Sequence, residues 1–176
     1  MRRTCLAVLA VLVLCCAPAR AAEKTQEVLV TGARVVEFGV FASTVERRAH
    51  TASVGDGIRD RAKDFALVRH GSVVEAALGT GFGIRYQLTG APRGAMVLVD
   101  VVVRHPQMVN PETQQPMTHS TAQYPRVIGA VEHTLWSFDT PAGLLPGEYV
   151  IEILYQGRLL VRQIFRVSLK KGEQQP

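Results

Sequence analysis

"LLPGEYVIEILYQGRLLVRQIFRVSL", residues 144–169, alternates along its length and breaks once, at Gln156-Gly157. Side chains on an extended strand point to opposite faces with a period of two, so Tyr149, Ile151, Ile153 and Tyr155 share one face. Beyond the break, Leu159, Val161, Phe165 and Val167 supply the apolar positions of a second strand. Two such runs joined by a short glycine-containing turn predict an antiparallel hairpin. The Leu-Pro-Gly-x-Tyr that leads in sets Tyr149 just after a corner.

Working back from this hairpin, the same period recurs. In "AMVLVDVVVRHP", residues 95–106, Ala95, Val97, Val99, Val101 and Val103 lie on one face. Met96, Leu98 and Val102 make the other face unusually apolar, with Asp100 and Arg104 interrupting it. Such a strand is central, or something covers it. In "GTGFGIRYQLTG", residues 79–90, three glycines invite comparison with a nucleotide-binding loop. That fingerprint needs glycine at its sixth place and a helix behind it, whose N–H groups hold the phosphates. The sixth place here is Ile84, and Phe82, Ile84, Tyr86 and Leu88 alternate with Gly83, Arg85, Gln87 and Thr89. The run is a half-buried strand entered through a tight turn or bulge at Gly79 and Gly81.

Further strands are expected in "RVVEFGVFA", with Val36, Phe38, Val40 and Ala42 on one face, in "FALVRHG" and "SVVEAALG", and over residues 127–138, with a turn at "GAPRG". The charged residues 45–64 read as a loop, and residues 105–125, with four prolines, as a long extended connection. About seven strands and almost no helical periodicity predict an all-β fold, an antiparallel immunoglobulin-like β-sandwich preceded by a signal peptide. In such sandwiches a tyrosine placed after the corner before the penultimate strand bonds back to the backbone, and Tyr149 fits that structural role. The alternative is an ordinary hairpin with a half-buried tyrosine.

The N-terminus, "MRRTCLAVLAVLVLCCAPARA", has Arg2 and Arg3, an apolar run from Cys5 to Ala17 and a small-x-small end at Ala19 and Ala21. This is the layout of a secretory signal peptide cleaved after Ala21. The apolar run is shorter than the ~18 residues that span a bilayer. Leu14 before Cys15 does not suit lipoprotein processing, and the twin-arginine pattern is poorly met, so Sec-type export to the periplasm is expected. The expected organisation is signal peptide 1–21, lead-in 22–33, sandwich domain 34–169 and polar tail 170–176.

Cys5, Cys15 and Cys16 all lie in the leader, so the mature chain is expected to have no disulfide, thiolate nucleophile or cysteine-bound metal. Of the 20 Lys and Arg, Arg2, Arg3 and Arg20 leave with the leader, so 17 face 15 acidic residues. Arg47-Arg48 and Lys170-Lys171 are the longest basic runs left, which argues against a nucleic-acid partner.

"GTGFGIRYQLTGAPRG", "VVVRHP" and "LLPGEYVIEILYQGRLLVRQIFRV" together resemble the bacterial domain-of-unknown-function family numbered 3859 over most of residues 34–168. The shared motifs are turns and strand ends. The resemblance implies an exported immunoglobulin-like domain and brings no established activity, ligand or catalytic residue. Relatives are expected often to place tryptophan at the position of Tyr149, which keeps the aromatic bulk and weakens the argument from the hydroxyl.

Catalytic constellations have little footing. No G-x-S-x-G occurs, and Ser72 and Ser120 are only sequence neighbours of His70 and His119. His133 and Glu132, adjacent on a strand, point to opposite faces. Asp56, Asp60 and Asp64 belong to the expected loop, where charge meets water. His105, Met108, Met117 and His119 offer imidazole and thioether donors suited to copper. Arg85 and Gln87 with Trp136 suggest a sugar platform, although an indole more often serves the core. The expectation is a non-catalytic exported module without cofactor that binds a protein or envelope partner through Met96, Leu98 and Val102 and the 105–125 loop. The alternatives are a periplasmic copper carrier and a hydrolase. Neither a nucleic-acid partner nor a membrane span in the mature chain is expected.

Overall fold

The computed structural model of the protein describes residues 27–55 and 58–170; the expected leader and the tail beyond Lys170 lie outside them. Among the described residues there are nine strands: β1 (Leu29–His50), β2 (Ile58–His70), β3 (Val73–Ala76), β4 (Gly81–Ala91), β5 (Met96–Val109), β6 (Pro116–Val127), β7 (Val131–Ser137), β8 (Gly147–Tyr155) and β9 (Arg158–Leu169). They form two sheets, ordered β2-β1-β4-β7 and β3-β9-β8-β5-β6. β1 opens at Leu29, ahead of the boundary expected at residue 34.

The core lies between the sheets and follows the period-two pattern. Phe82, Ile84, Tyr86 and Leu88 on β4 are at most 1% exposed. They face Val97, Val99, Val101 and Val103 of β5, Tyr149, Ile151 and Ile153 of β8, and Val161, Phe165 and Val167 of β9, all buried. Aromatic rings bridge the layers, with Phe82 5.5 Å from Tyr149 and 5.0 Å from Phe165, centroid to centroid. Each such side chain contributes roughly 1.5–3 kcal/mol by leaving water. The glycine-rich start of β4 is a turn: Thr80 N–H donates to Ala77 C=O at 2.9 Å, and Gly79 takes φ +80°. Inside the strand Gly83 has a different task, because a Cβ there would lie 2.1 Å from Thr134 O and 2.8 Å from Leu135 Cα on β7.

Three expectations are corrected. Val36, Phe38, Val40 and Ala42 do not share a buried face: Val36 is 43% exposed whereas Phe41 is 3% exposed. Register shifts between Val35 and Glu37 against β4, and between Val40 and Phe41 against β2, reverse the alternation at each bulge.

Residues 45–64 are mostly paired backbone rather than a loop. β1 leaves β4 after Phe41↔Gly81, yet continues alongside β2 to His50↔Ile58. This ribbon carries no apolar alternation, so sequence reading finds no strand signal in it. Its turn reaches the second sheet, where Thr121 N–H donates to Ser53 C=O at 3.0 Å.

Residues 105–125 likewise form most of the β5–β6 hairpin, with Met108 opposite Met117 and Arg104 opposite His119. β6 is an edge strand, where proline removes no ladder bond, and Pro106 falls in the bulge between Arg104 and Met108. Only Asn110–Gln115 forms the connection. Asn110 Oδ1 accepts from the backbone N–H groups of Glu112 (2.8 Å) and Thr113 (3.0 Å) there. The sandwich is also not wholly antiparallel, since the four-residue β3 pairs in parallel with β9 at the sheet edge.

Candidate functional site

The outer face of the five-stranded sheet carries the residues that a partner could reach. Cross-strand partners share a face, so Met96 and Leu98 on β5 lie beside Val127 and Pro125 of β6. Met96 is 69% and Leu98 60% exposed. Further along, the face turns polar: Val102, half-buried, sits opposite Glu152, and that carboxylate takes Arg104 Nε at 3.1 Å and lies 3.8 Å from Arg162 Nε. The three residues expected as one apolar patch thus divide, with Met96 and Leu98 at one end and Val102 among charges.

At the Met96 end an open groove of about 420 Å³ is lined by Val28, Met96, Val97, Leu98, Asp100, Gln123, Tyr155 and Gln156. Two local features build it. The β8–β9 turn closes in two residues, Gln156 at φ 50° and Gly157 at φ 77°, the backbone signature of a tight hairpin. Arg158, the next residue, donates to the backbone carbonyls of Val30 and Thr31, which fixes the start of β1 and brings Val28 to the rim. Asp100 Oδ1 accepts from Gln123 Nε2 at 2.8 Å, and Gln156 Nε2 donates to the Tyr155 hydroxyl at 3.3 Å. Sequence reading missed Val28, Gln123, Tyr155 and Gln156 as lining. Asp100 was legible only as a polar break in an apolar face, because neighbours contributed by β1, β6 and β8 are set by pairing.

On the inner side, Tyr149 is fully buried and its hydroxyl donates to Leu145 C=O at 3.1 Å, spanning the corner that follows the 3₁₀ turn Pro141–Gly143. Beside it His105, 5% exposed, lies 5.2 Å from the Trp136 ring. His105 Nδ1 is 2.9 Å from Pro106 C=O, which can only accept, so Nδ1 carries the proton. Nε2 therefore accepts from the Ser120 hydroxyl at 2.9 Å, and Ser120 Oγ accepts from Gly55 N–H at 2.7 Å. Burial, above all, lowers the His105 pKa from its ordinary value, with nearby His119 adding to the effect while the Pro106 carbonyl opposes it.

The four copper donors divide between two environments: the His105 ring and Met108 Sδ both pack against Gly55, and Met117 stands opposite Met108. His105 and Met108 are buried, whereas His119 is exposed and shares the outward face with Arg104. Among the described residues no group of three or more His, Cys, Asp or Glu is placed to hold a metal ion. The sugar-platform residues separate too: Trp136 is 5% exposed in the core, while Arg85 pairs with Glu37 at 2.9 Å and Gln87 takes Arg34 on the outer face of the other sheet. His133 lies against Phe65, ring centroids 3.6 Å apart, and burial first, then the Arg126 charge, lowers its pKa.

Two sheet edges are guarded. Arg126 Nη2 occupies the outward His133 carbonyl at 3.0 Å, and the ribbon turn covers part of β6 through Ser53. No helix among the described residues is long and apolar enough to cross a membrane.

Two facing sheets of this strand order, closed by a tyrosine corner on the penultimate strand, define an immunoglobulin-like β-sandwich. The chain belongs to the family described as "Domain of unknown function (DUF3859)", whose family model matches residues 29–167. A solved immunoglobulin-like protein (PA1606) from Pseudomonas aeruginosa is similar at 24% identity and TM-score 0.51, covering 81% of this chain and 97% of that one. The alkylpurine DNA glycosylase AlkC of Pseudomonas fluorescens, solved bound to DNA containing an abasic site analog, aligns at 18% identity and TM-score 0.36, over 55% of this chain and 27% of that chain. No curated protein matches.

Proposed function

We propose that the protein is a non-catalytic module, exported to the periplasm by a Sec-type signal peptide, that binds another envelope component through the Met96–Leu98 end of the five-stranded sheet. The observation that carries this reading is an exposed apolar pair, Met96 at 69% and Leu98 at 60%, bordering a groove on a rigid sheet face. The backbone that carries them is already held in a paired strand, so binding orders side chains without ordering a loop. The bonds that occupy parts of the β6 and β7 edges disfavour strand addition at those two edges. The non-catalytic reading is supported by the one close Ser–His contact described, Ser120 with His105, whose members are 4% and 5% exposed and tie backbone segments together.

A photo-crosslinking residue at position 98, expressed in the native cell, tests the surface. A discrete adduct at 98 that is missing when the probe stands at Val36, on the other sheet and 43% exposed, is expected. No adduct at 98, or the same adducts at both positions, overturns the proposal. For export, N-terminal sequencing of the native protein is expected to begin at Ala22; a cytoplasmic chain retaining residues 1–21 overturns that part.

A further inference from the structure

We infer that the groove is a recognition site for a cationic side chain, Lys or Arg, presented with apolar neighbours by a segment of the partner protein. This rests on the reading of that face as a binding surface and names what it binds. Charge complementarity carries it. Among the described residues that line the groove Asp100 is the only charged one, and none is Lys or Arg. Asp100 is half-buried, its described bond is the neutral one from Gln123, and it forms no ion pair among the described residues. Elsewhere on the same face the carboxylate of Glu152 is flanked by two arginines, so the pairing satisfied there is left open here.

The remaining lining matches the rest of such a side chain. The stems of Lys and Arg bury along aliphatic surface while the head keeps polar contacts, and Val28, Met96 and Leu98 supply that surface. Tyr155 adds an aromatic ring, which attracts a cation. Gln123 and Gln156 add amide oxygens able to accept from a guanidinium or ammonium. A volume near 420 Å³ fits one long side chain with its flanking residues. A phosphate or acidic segment would meet Asp100 with like charge and no compensating base among the described lining residues.

The test uses three capped tripeptides as probes, acetyl-Leu-Arg-Leu-amide, its isosteric citrulline analogue and acetyl-Leu-Glu-Leu-amide, titrated into the full mature domain and followed by amide NMR shifts. Saturable shifts at Leu98, Asp100, Gln123 and Gln156 with the arginine peptide are expected, weakened about tenfold in Asp100→Asn and with citrulline. Equal shifts for all three peptides, or none at these amides, overturn the inference. Asp100→Asn keeps an oxygen for Gln123, so its amide spectrum away from the groove reports whether the fold is intact. The crosslink at position 98 separates the two levels. An adduct to another protein that persists unchanged in Asp100→Asn defeats the cation site while leaving the binding surface. An adduct of twice the chain's own mass makes the occupant a second copy and overturns the inference. Loss of the adduct in Asp100→Asn supports it.

Discussion

Replacing Tyr149 with phenylalanine removes one oxygen and leaves the ring among Phe82, Trp136 and Phe138, whose centroids lie 5.5, 5.7 and 5.8 Å away. The substitution therefore removes the bond from the hydroxyl to Leu145 C=O, 3.1 Å long, while keeping the ring in place. A neutral bond of this kind contributes about 1 kcal/mol net, and leaving its acceptor unpartnered raises the cost toward about 2 kcal/mol. Leu145 is half-buried, so water reaches its carbonyl in part and the expected loss is about 1–1.5 kcal/mol. Tyr149→Ala additionally empties a fully buried aromatic site and is expected to cost about 3–5 kcal/mol. Urea titration followed by the fluorescence of the single tryptophan, Trp136, reads both, since that indole is 5% exposed and beside Tyr149. The midpoint should fall with an unchanged slope. A loss below about 0.3 kcal/mol in Tyr149→Phe, or one equal to that of Tyr149→Ala, would refute the corner as the reason for the hydroxyl.

Two glycines of the same motif should behave differently. Gly79→Ala meets no atom within 4 Å but must hold φ +80°, so about 1–2 kcal/mol of strain is expected. Gly83→Ala would force a Cβ to 2.1 Å from a backbone oxygen, and an unfolding loss above about 4 kcal/mol or failure to fold is expected. Thermal melts ranking the two in the opposite order would contradict the assigned roles. Acid should destabilise the protein through His105. Its folded-state pKa is lowered by burial, so the unfolded chain binds the proton first. The stability His105 contributes is complete above the unfolded value near 6.5 and is lost as pH falls through the folded one. Urea midpoints from pH 8 to pH 4.5 should fall less in His105→Gln than in the wild type; parallel profiles would assign the acid sensitivity elsewhere.

Residues whose burial comes from simple alternation were legible at once. Phe82, Ile84, Tyr86 and Leu88 needed only the period of two, and so did the inward valines of β5 and the β8–β9 hairpin. Tyr149 was legible because the turn motif sits a fixed distance before it in the chain. β1 was misread at its face because a bulge is a backbone irregularity that leaves composition unchanged. The ribbon at 45–64 was misread because its residues are polar and charged without a period of two, while the pairing that makes it a strand pair is a backbone property. The candidate site was half legible: Met96 and Leu98 stood out, while Tyr155 and Gln123 gained meaning only beside them.

Local alternation, turn chemistry and the absence of cysteine beyond Cys16 determined from the sequence that the described chain is all-β and independent of disulfides. The tertiary structure alone decided which strands pair, that His105 meets Ser120 across a hairpin and that Asp100 shares a groove with Tyr155 and Val28. The physical reason is range. Side-chain direction along a strand is set by the adjoining peptide units, whereas register and sheet order follow from burying all the apolar faces together, a condition no single segment contains.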